Sequence, residues 1–192
     1  MDNIYLKEVS SLKGIILFAD YFEDVEGLGT LALLRRAKLS VTSVSVMNTQ
    51  HITTQYGMNI QTDQMLNNIN PNEYDFLVIP GGKAVGTTLR SDERVLELIS
   101  SFVQKQKLVA AICAAPSLLG QLSLLDGKNF TCFPGFEQYM LNGAYRPEKK
   151  AVTDGKIVTA RSAGAIYEFV YEILQVLKGK EEADHLLQNI VF

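Results

Sequence analysis

Short, strand-like apolar runs recur along this chain, and between them lie longer amphipathic stretches. The runs are 14–19 (Gly14-Ile15-Ile16-Leu17-Phe18-Ala19), 39–46, 76–79 and 108–112. Their shortness and continuous hydrophobicity suit strands covered on both faces, as in parallel sheets. Between the first two, Val25, Leu28, Ala32 and Leu33 are read as one helical face, with Arg35 and Arg36 at the end where cations suit the helix dipole. Between the third and fourth, Ser91-Asp92 opens a second helix whose Val95, Leu98, Ile99 and Phe102 repeat at helical spacing. Residues 51–54 and 58–61, around Gln55-Tyr56-Gly57, predict a small hairpin, and Asp154-Gly155 predicts a type I′ turn between strands 151–153 and 156–159. Two further helices are expected over about 164–178 and 180–189. This alternation predicts an α/β fold, a doubly wound and mainly parallel sheet with helices on both faces.

At 192 residues the chain suits a single domain, 1–192, with no linker or low-complexity segment to divide it. Its net charge of −3 comes without a Lys/Arg stripe, so the footprint of a phosphate-backbone binder is missing and nucleic acid is not expected as a partner. No apolar run approaches the ~18 residues of a membrane span, and residues 1–13 lack a secretory h-region. A cytoplasmic setting is expected. The two cysteines (Cys113, Cys132) and two histidines (His51, His185) have no CxxC or HxxxH spacing, so neither a structural zinc site nor any cofactor is invoked.

In such a sheet, ligands bind beyond the carboxyl ends of the strands, where the strand order switches. Four exits therefore matter: 20–26, Pro80-Gly81-Gly82-Lys83, Cys113-Ala114-Ala115-Pro116 and 160–164. At the third, a thiol stands where a strand must turn at once into a helix, with small neighbours for a tight bend and Pro116 suited to the first helical turn. Amides at the helix start would favour thiolate over thiol. An unpaired cysteine also serves well as a small buried apolar side chain.

Taken together, Pro80-Gly81-Gly82, the segment from Ala110 to Pro116, and an acidic residue in the first helix resemble the ThiJ/PfpI superfamily, on the branch of Parkinson disease protein seven. The similarity runs from about residue 13 to 179 and includes Arg35-Arg36-Ala37, Met140-Leu141-Asn142-Gly143 and Tyr167-Glu168-Phe169. Residues 1–12 form an extension without a counterpart. The resemblance implies a flavodoxin-like fold, a homodimer, an easily oxidised Cys113 and a protonated carboxyl, Glu26, that hydrogen-bonds the sulfur. It also implies glyoxalase, deglycase, chaperone or oxidative-stress roles, with small aldehydes or glycated molecules as substrates.

Glu26 sits beside Gly27, which leaves room for a neighbouring turn, whereas Glu23 and Asp24 are read as complementing the positive helix end. A carboxyl packed there should have a raised pKa and titrate jointly with the thiol. Acidifying the thiol from ~8.5 to ~5.5 would raise the thiolate fraction about thirtyfold, while a Brønsted coefficient of ~0.4–0.5 removes nearly as much nucleophilicity. Carbonyl chemistry would then need oxyanion donors, for which the amides of Gly81, Gly82 and Ala114 are candidates; a glycine pair after a strand can also simply make a turn.

The pattern also departs from its relatives. Protease-like members carry a histidine directly after the cysteine, and here that residue is Ala114. Where the nearest branch often brings in a histidine, this chain has Phe133. His51 and His185 are expected at the surface or in packing. Arg161 could bind an anionic substrate group or serve a structural or dimer contact, and Cys132 could resolve an oxidised Cys113 or simply pack.

Overall fold

A computed structural model describes residues 12–192, so the expected extension over 1–12 lies almost wholly outside the described residues. The chain runs β1 (Lys13–Phe18), a π-helical turn (Val25–Gly29) leading into α1 (Thr30–Arg36), β2 (Ser40–Ser45), the hairpin β3 (His51–Thr53) and β4 (Asn59–Gln61), β5 (Gln64–Met65), β6 (Phe76–Ile79), α2 (Ala84–Thr87) and α3 (Glu93–Gln104). It continues with β7 (Leu108–Ile112), α4 (Pro116–Gln121), β8 (Asn129–Phe130), β9 (Ala144–Tyr145), β10 (Ala151–Asp154), β11 (Ile157–Ala160), α5 (Ile166–Lys178) and α6 (Lys180–Asn189).

The main sheet has the order β10-β11-β7-β6-β1-β2-β5, parallel throughout except for the β10–β11 pair at one edge. This is the expected doubly wound α/β architecture. The strand order reverses at β1, which is flanked by β2 on one side and β6 on the other, opening a crevice above the carboxyl ends of β1 and β6. β6 and β7 are buried along their whole length, as their unbroken apolar sequences require. The second expected helix is α3: Asp92 caps it by accepting from the Arg94 amide at 3.0 Å, and Val95, Leu98, Ile99 and Phe102 face the core.

Two local expectations need correction. The first helix does not bury Val25, Leu28, Ala32 and Leu33. Val25 and Ala32 are exposed, Leu28 and Leu33 half-buried, and the inward face is Glu26, Gly27, Thr30 and Leu34. The wider π turn rotates the face, and Gly27 sits so close to the Phe18–Phe22 ring pair that a Cβ there would meet Phe22 at 2.4 Å. The β10–β11 hairpin is shifted by one residue, with Asp154 pairing with Ile157. Its loop is Gly155-Lys156, and only Gly155 has positive φ, +63°, the pattern of a II′ rather than an I′ turn.

Candidate active site

The loops leaving β1 and β6 are stitched together over the crevice. The Glu23 amide donates to the Gly81 carbonyl at 3.2 Å, and the Ala84 amide to the Tyr21 carbonyl at 3.1 Å. Gly82 has φ +92°, and a Cβ there would meet the Glu23 nitrogen at 2.4 Å, so the position admits no side chain. The Glu23 carboxylate accepts the Glu26 amide at 2.7 Å, as an acid at a helix start should. Asp24 does something else. It accepts from Thr54 Oγ1 at 2.6 Å and the Tyr56 amide at 3.1 Å, fastening the β3–β4 hairpin beside the site.

Cys113 follows directly on β7 in the left-handed region at φ +65°, a strained conformation for a residue with a Cβ. Its amide donates to the Ala160 carbonyl at 2.9 Å, and its carbonyl accepts from Phe133, also at 2.9 Å. Those bonds fix the turn between β11 and the 131–136 loop, and α4 starts with Pro116 as its first residue. The amides of Ala114 and Gly82 and the Glu26 carboxyl all bear on the ionisation of the thiol. Cys113 is half-buried, while Cys132 is fully buried and its thiol is pushed up to about 12, mainly by burial.

Glu26 is only 1% exposed. One of its carboxyl oxygens accepts the Gly81 amide at 2.9 Å, and the Ala163 amide also reaches the carboxyl. The Gly81 amide, one of the expected oxyanion donors, is thus engaged by Glu26, leaving those of Gly82 and Ala114 beside the sulfur. A Cβ on Gly81 would lie 2.6 Å from both Cys113 Cβ and Glu26 Oε2, so the missing side chain is what allows the two to meet.

Burial, aided by the charge of Glu23, raises Glu26 to about 7 against the hydrogen bonds from Cys113 and the two amides. Burial likewise pushes the Cys113 thiol up, and an ionised Glu26 pushes it further. This departs from the expectation of a simply acidified thiol. The amides are in place, but desolvation outweighs them, so a negative charge on one member of the pair opposes a second on the other.

An open cleft of about 520 Å³ lies over the pair, and all four strand exits contribute to its lining, among them Glu23, Lys83, Ala114 and Ser162. The cleft also has Gln55 and Tyr56 from the hairpin and Phe133 and Phe136 from the loop after β8. Gln55, Tyr56 and Phe136 escaped sequence reasoning because they do not follow a strand of the main sheet. The Lys83 amide donating to Gln55 Oε1 at 2.9 Å records the hairpin's approach. No histidine lines this cleft, and His51 and His185 are exposed on β3 and α6. Arg161 points elsewhere, its guanidinium donating to the Pro147 carbonyl at 3.2 Å.

The chain resembles known proteins over most of its length. It is 28% identical over 182 residues to Protein dj-1beta of Drosophila melanogaster, covering 94% of this chain and 97% of that one. It is 31% identical over 168 residues to Deglycase PfpI of Pyrococcus furiosus, covering 87% of this chain and all of the relative. Protein DJ-1 homolog B of Arabidopsis thaliana is 34% identical over 175 residues, which make up 91% of this chain but 40% of the plant protein. The crystal structure of Drosophila DJ-1beta superposes with a TM-score of 0.88, covering 94% of this chain and 98% of that one at 28% identity. Toxoplasma gondii DJ-1 in an oxidised form gives 0.87 at 27% identity, covering 95% and 99%. The DJ-1/PfpI family pattern matches residues 13–176, and the chain belongs to that family.

Proposed function

We propose that this protein is a cysteine-dependent enzyme acting on small reactive carbonyls, of the glyoxalase or deglycase type, with Cys113 as nucleophile and Glu26 as proton shuttle. The convergence of both side chains on the bare Cα of Gly81 carries this reading. A carboxyl with a pKa near 7 is matched to taking and returning protons near neutrality. The deglycase name of the Pyrococcus relative supports the same substrate class.

With a 2-oxoaldehyde, Sγ adds to the aldehyde carbon while the thiol proton passes to Glu26. The resulting oxyanion takes that proton back from Glu26, which restores the basic carboxylate, and the amides of Gly82 and Ala114 beside the sulfur are the donors that would stabilise it. Glu26 then carries the former aldehyde proton to the neighbouring carbonyl carbon through an enediol, while the hydroxyl proton passes to the neighbouring oxygen, leaving a thioester on Cys113. Water cleaves the thioester and releases the 2-hydroxy acid and the free thiol. The net reaction adds one water, and its oxidation and reduction balance within the substrate.

Purified protein should convert methylglyoxal to lactate, with turnover abolished by Cys113→Ser and reduced by a factor of ~10²–10⁴ by Glu26→Gln, the usual range for a general base. Activity that survives Cys113→Ser would remove the thiol from the mechanism.

A second reading is a redox-responsive protein in which oxidised Cys113 alters a partner or chaperone surface. The partial exposure of Cys113 beside a fully buried Cys132 favours it. It predicts two added oxygens on Cys113 under mild peroxide in a protein that turns over no aldehyde. A homodimer, expected in solution, is checked by light scattering.

A further inference from the structure

We infer that the cleft selects 2-oxoaldehydes bearing a flat aromatic substituent over the smallest members of the class, with Phe133 as the residue that sets this preference. The inference rests on the aldehyde chemistry proposed above and names the substrate class within it.

Three observations carry it. The first is size: about 520 Å³ of open cleft falls within the ~300–1,000 Å³ usual for pockets that enclose a whole organic ligand, well beyond what the smallest 2-oxoaldehydes fill. The second is the lining. Tyr56, Phe133 and Phe136 line the cleft together with Cys113, and Tyr56 and Phe133 are 74% and 44% exposed. An aromatic ligand ring can meet them edge-to-face or offset, the arrangements that aromatic pairs favour.

The third is that this wall is built rather than loose. Phe133 and Phe136 pack edge to face at 6.4 Å, and Phe136 meets Tyr139 at 6.0 Å. The Arg90 guanidinium lies 4.3 Å from the centre of the Tyr139 ring and donates to Ser117 Oγ at 2.7 Å. Ser117 in turn donates to the Ala114 carbonyl at 2.7 Å. One cation thus ties the aromatic loop to the turn that holds the thiol, and the rings keep a fixed relation to the sulfur. The Phe133 amide bond to the Cys113 carbonyl reinforces that link.

Two measurements on the full chain test this. In turnover, phenylglyoxal should exceed methylglyoxal in kcat/KM by roughly tenfold, mainly through a lower KM, and Phe133→Ala should reduce that ratio by about as much. Independently of turnover, Cys113 should react faster with iodoacetanilide than with iodoacetamide, two reagents that are attacked at the same iodomethyl carbon, lose the same iodide and differ by one phenyl ring. Normalised to the same ratio for glutathione, the preference should be about tenfold in wild type and collapse toward unity in Phe133→Ala and Phe136→Ala. A wild-type ratio equal to that of glutathione, or one that survives both substitutions, overturns the inference. If neither aldehyde is turned over while the alkylation preference holds, the proposed activity falls and the aromatic recognition stands. Turnover of both aldehydes without preference overturns the recognition alone.

Discussion

At Gly81 a single absent methyl group decides whether Cys113 and Glu26 can meet. Placing one there would bring it 2.6 Å from atoms of both side chains, and the rigid turn on either side leaves little room to yield. Gly81→Ala should therefore slow alkylation of Cys113 at pH 7.5 at least tenfold and cost about 1–3 kcal/mol of stability, the usual range for overpacking, as read by iodoacetamide kinetics and urea denaturation. The sequence made this residue visible as part of a Pro-Gly-Gly turn, but not its reason. A glycine that is needed for a turn looks the same in sequence as one needed so that two distant side chains can touch. Cys113 was readable from its place at the end of an apolar run. Its positive φ and its desolvation involve loops distant in sequence, such as the one that brings the Phe133 amide to its carbonyl.

Elements whose burial follows from their own sequence were legible, and those shaped by a neighbour were not. β6, β7 and α3 follow from unbroken apolar runs and a regular helical repeat with an acidic cap. The first helix failed on its face, because the π turn and the rings of Phe18 and Phe22 override a pattern in which Val25 looked like core. Asp24 was read as a helix-end charge, yet its partners lie across the chain in the β3–β4 hairpin. Asp24→Ala should cost about 1.5–3 kcal/mol, as expected for lost hydrogen bonds to a charged group, and raise amide exchange across 51–61 without changing exchange in α3. Exchange that rises equally in both regions would mean that Asp24 supports the fold in general rather than the hairpin. In α3, Asp92→Ala should cost about 0.5–2 kcal/mol through loss of the cap, read as a lower denaturation midpoint.

For the whole molecule, the parallel sheet and its crevice were predictable from the alternation of runs and helices, and the four strand exits do converge on one cleft. The hairpin and the loop after β8 that complete its walls were not, since their approach depends on tertiary contacts such as Gln55 to the Lys83 amide. Burying Glu26 also links the site to global stability. Its carboxyl ionises near 4.5 when unfolded and near 7 when folded, so the folded state holds the proton more tightly. Below pH 4.5 this carries no penalty; as pH rises through 7 the wild type should lose up to about 3 kcal/mol relative to Glu26→Gln. Denaturant unfolding of the two proteins at pH 4.5 and 7.5 measures the difference, and a constant gap would contradict the raised carboxyl.

The chemistry of this site depends most on Cys113 and Glu26 handling one proton between them. The direct measurement is the rate of Cys113 alkylation from pH 5 to 10 in wild type and in Glu26→Gln. With Glu26 as the base that takes the thiol proton, the wild-type rate should rise as Glu26 ionises near 7, whereas the variant lacks that rise and should react only above ~8.5, where the buried thiol itself ionises. Superimposable profiles in the two proteins would contradict it.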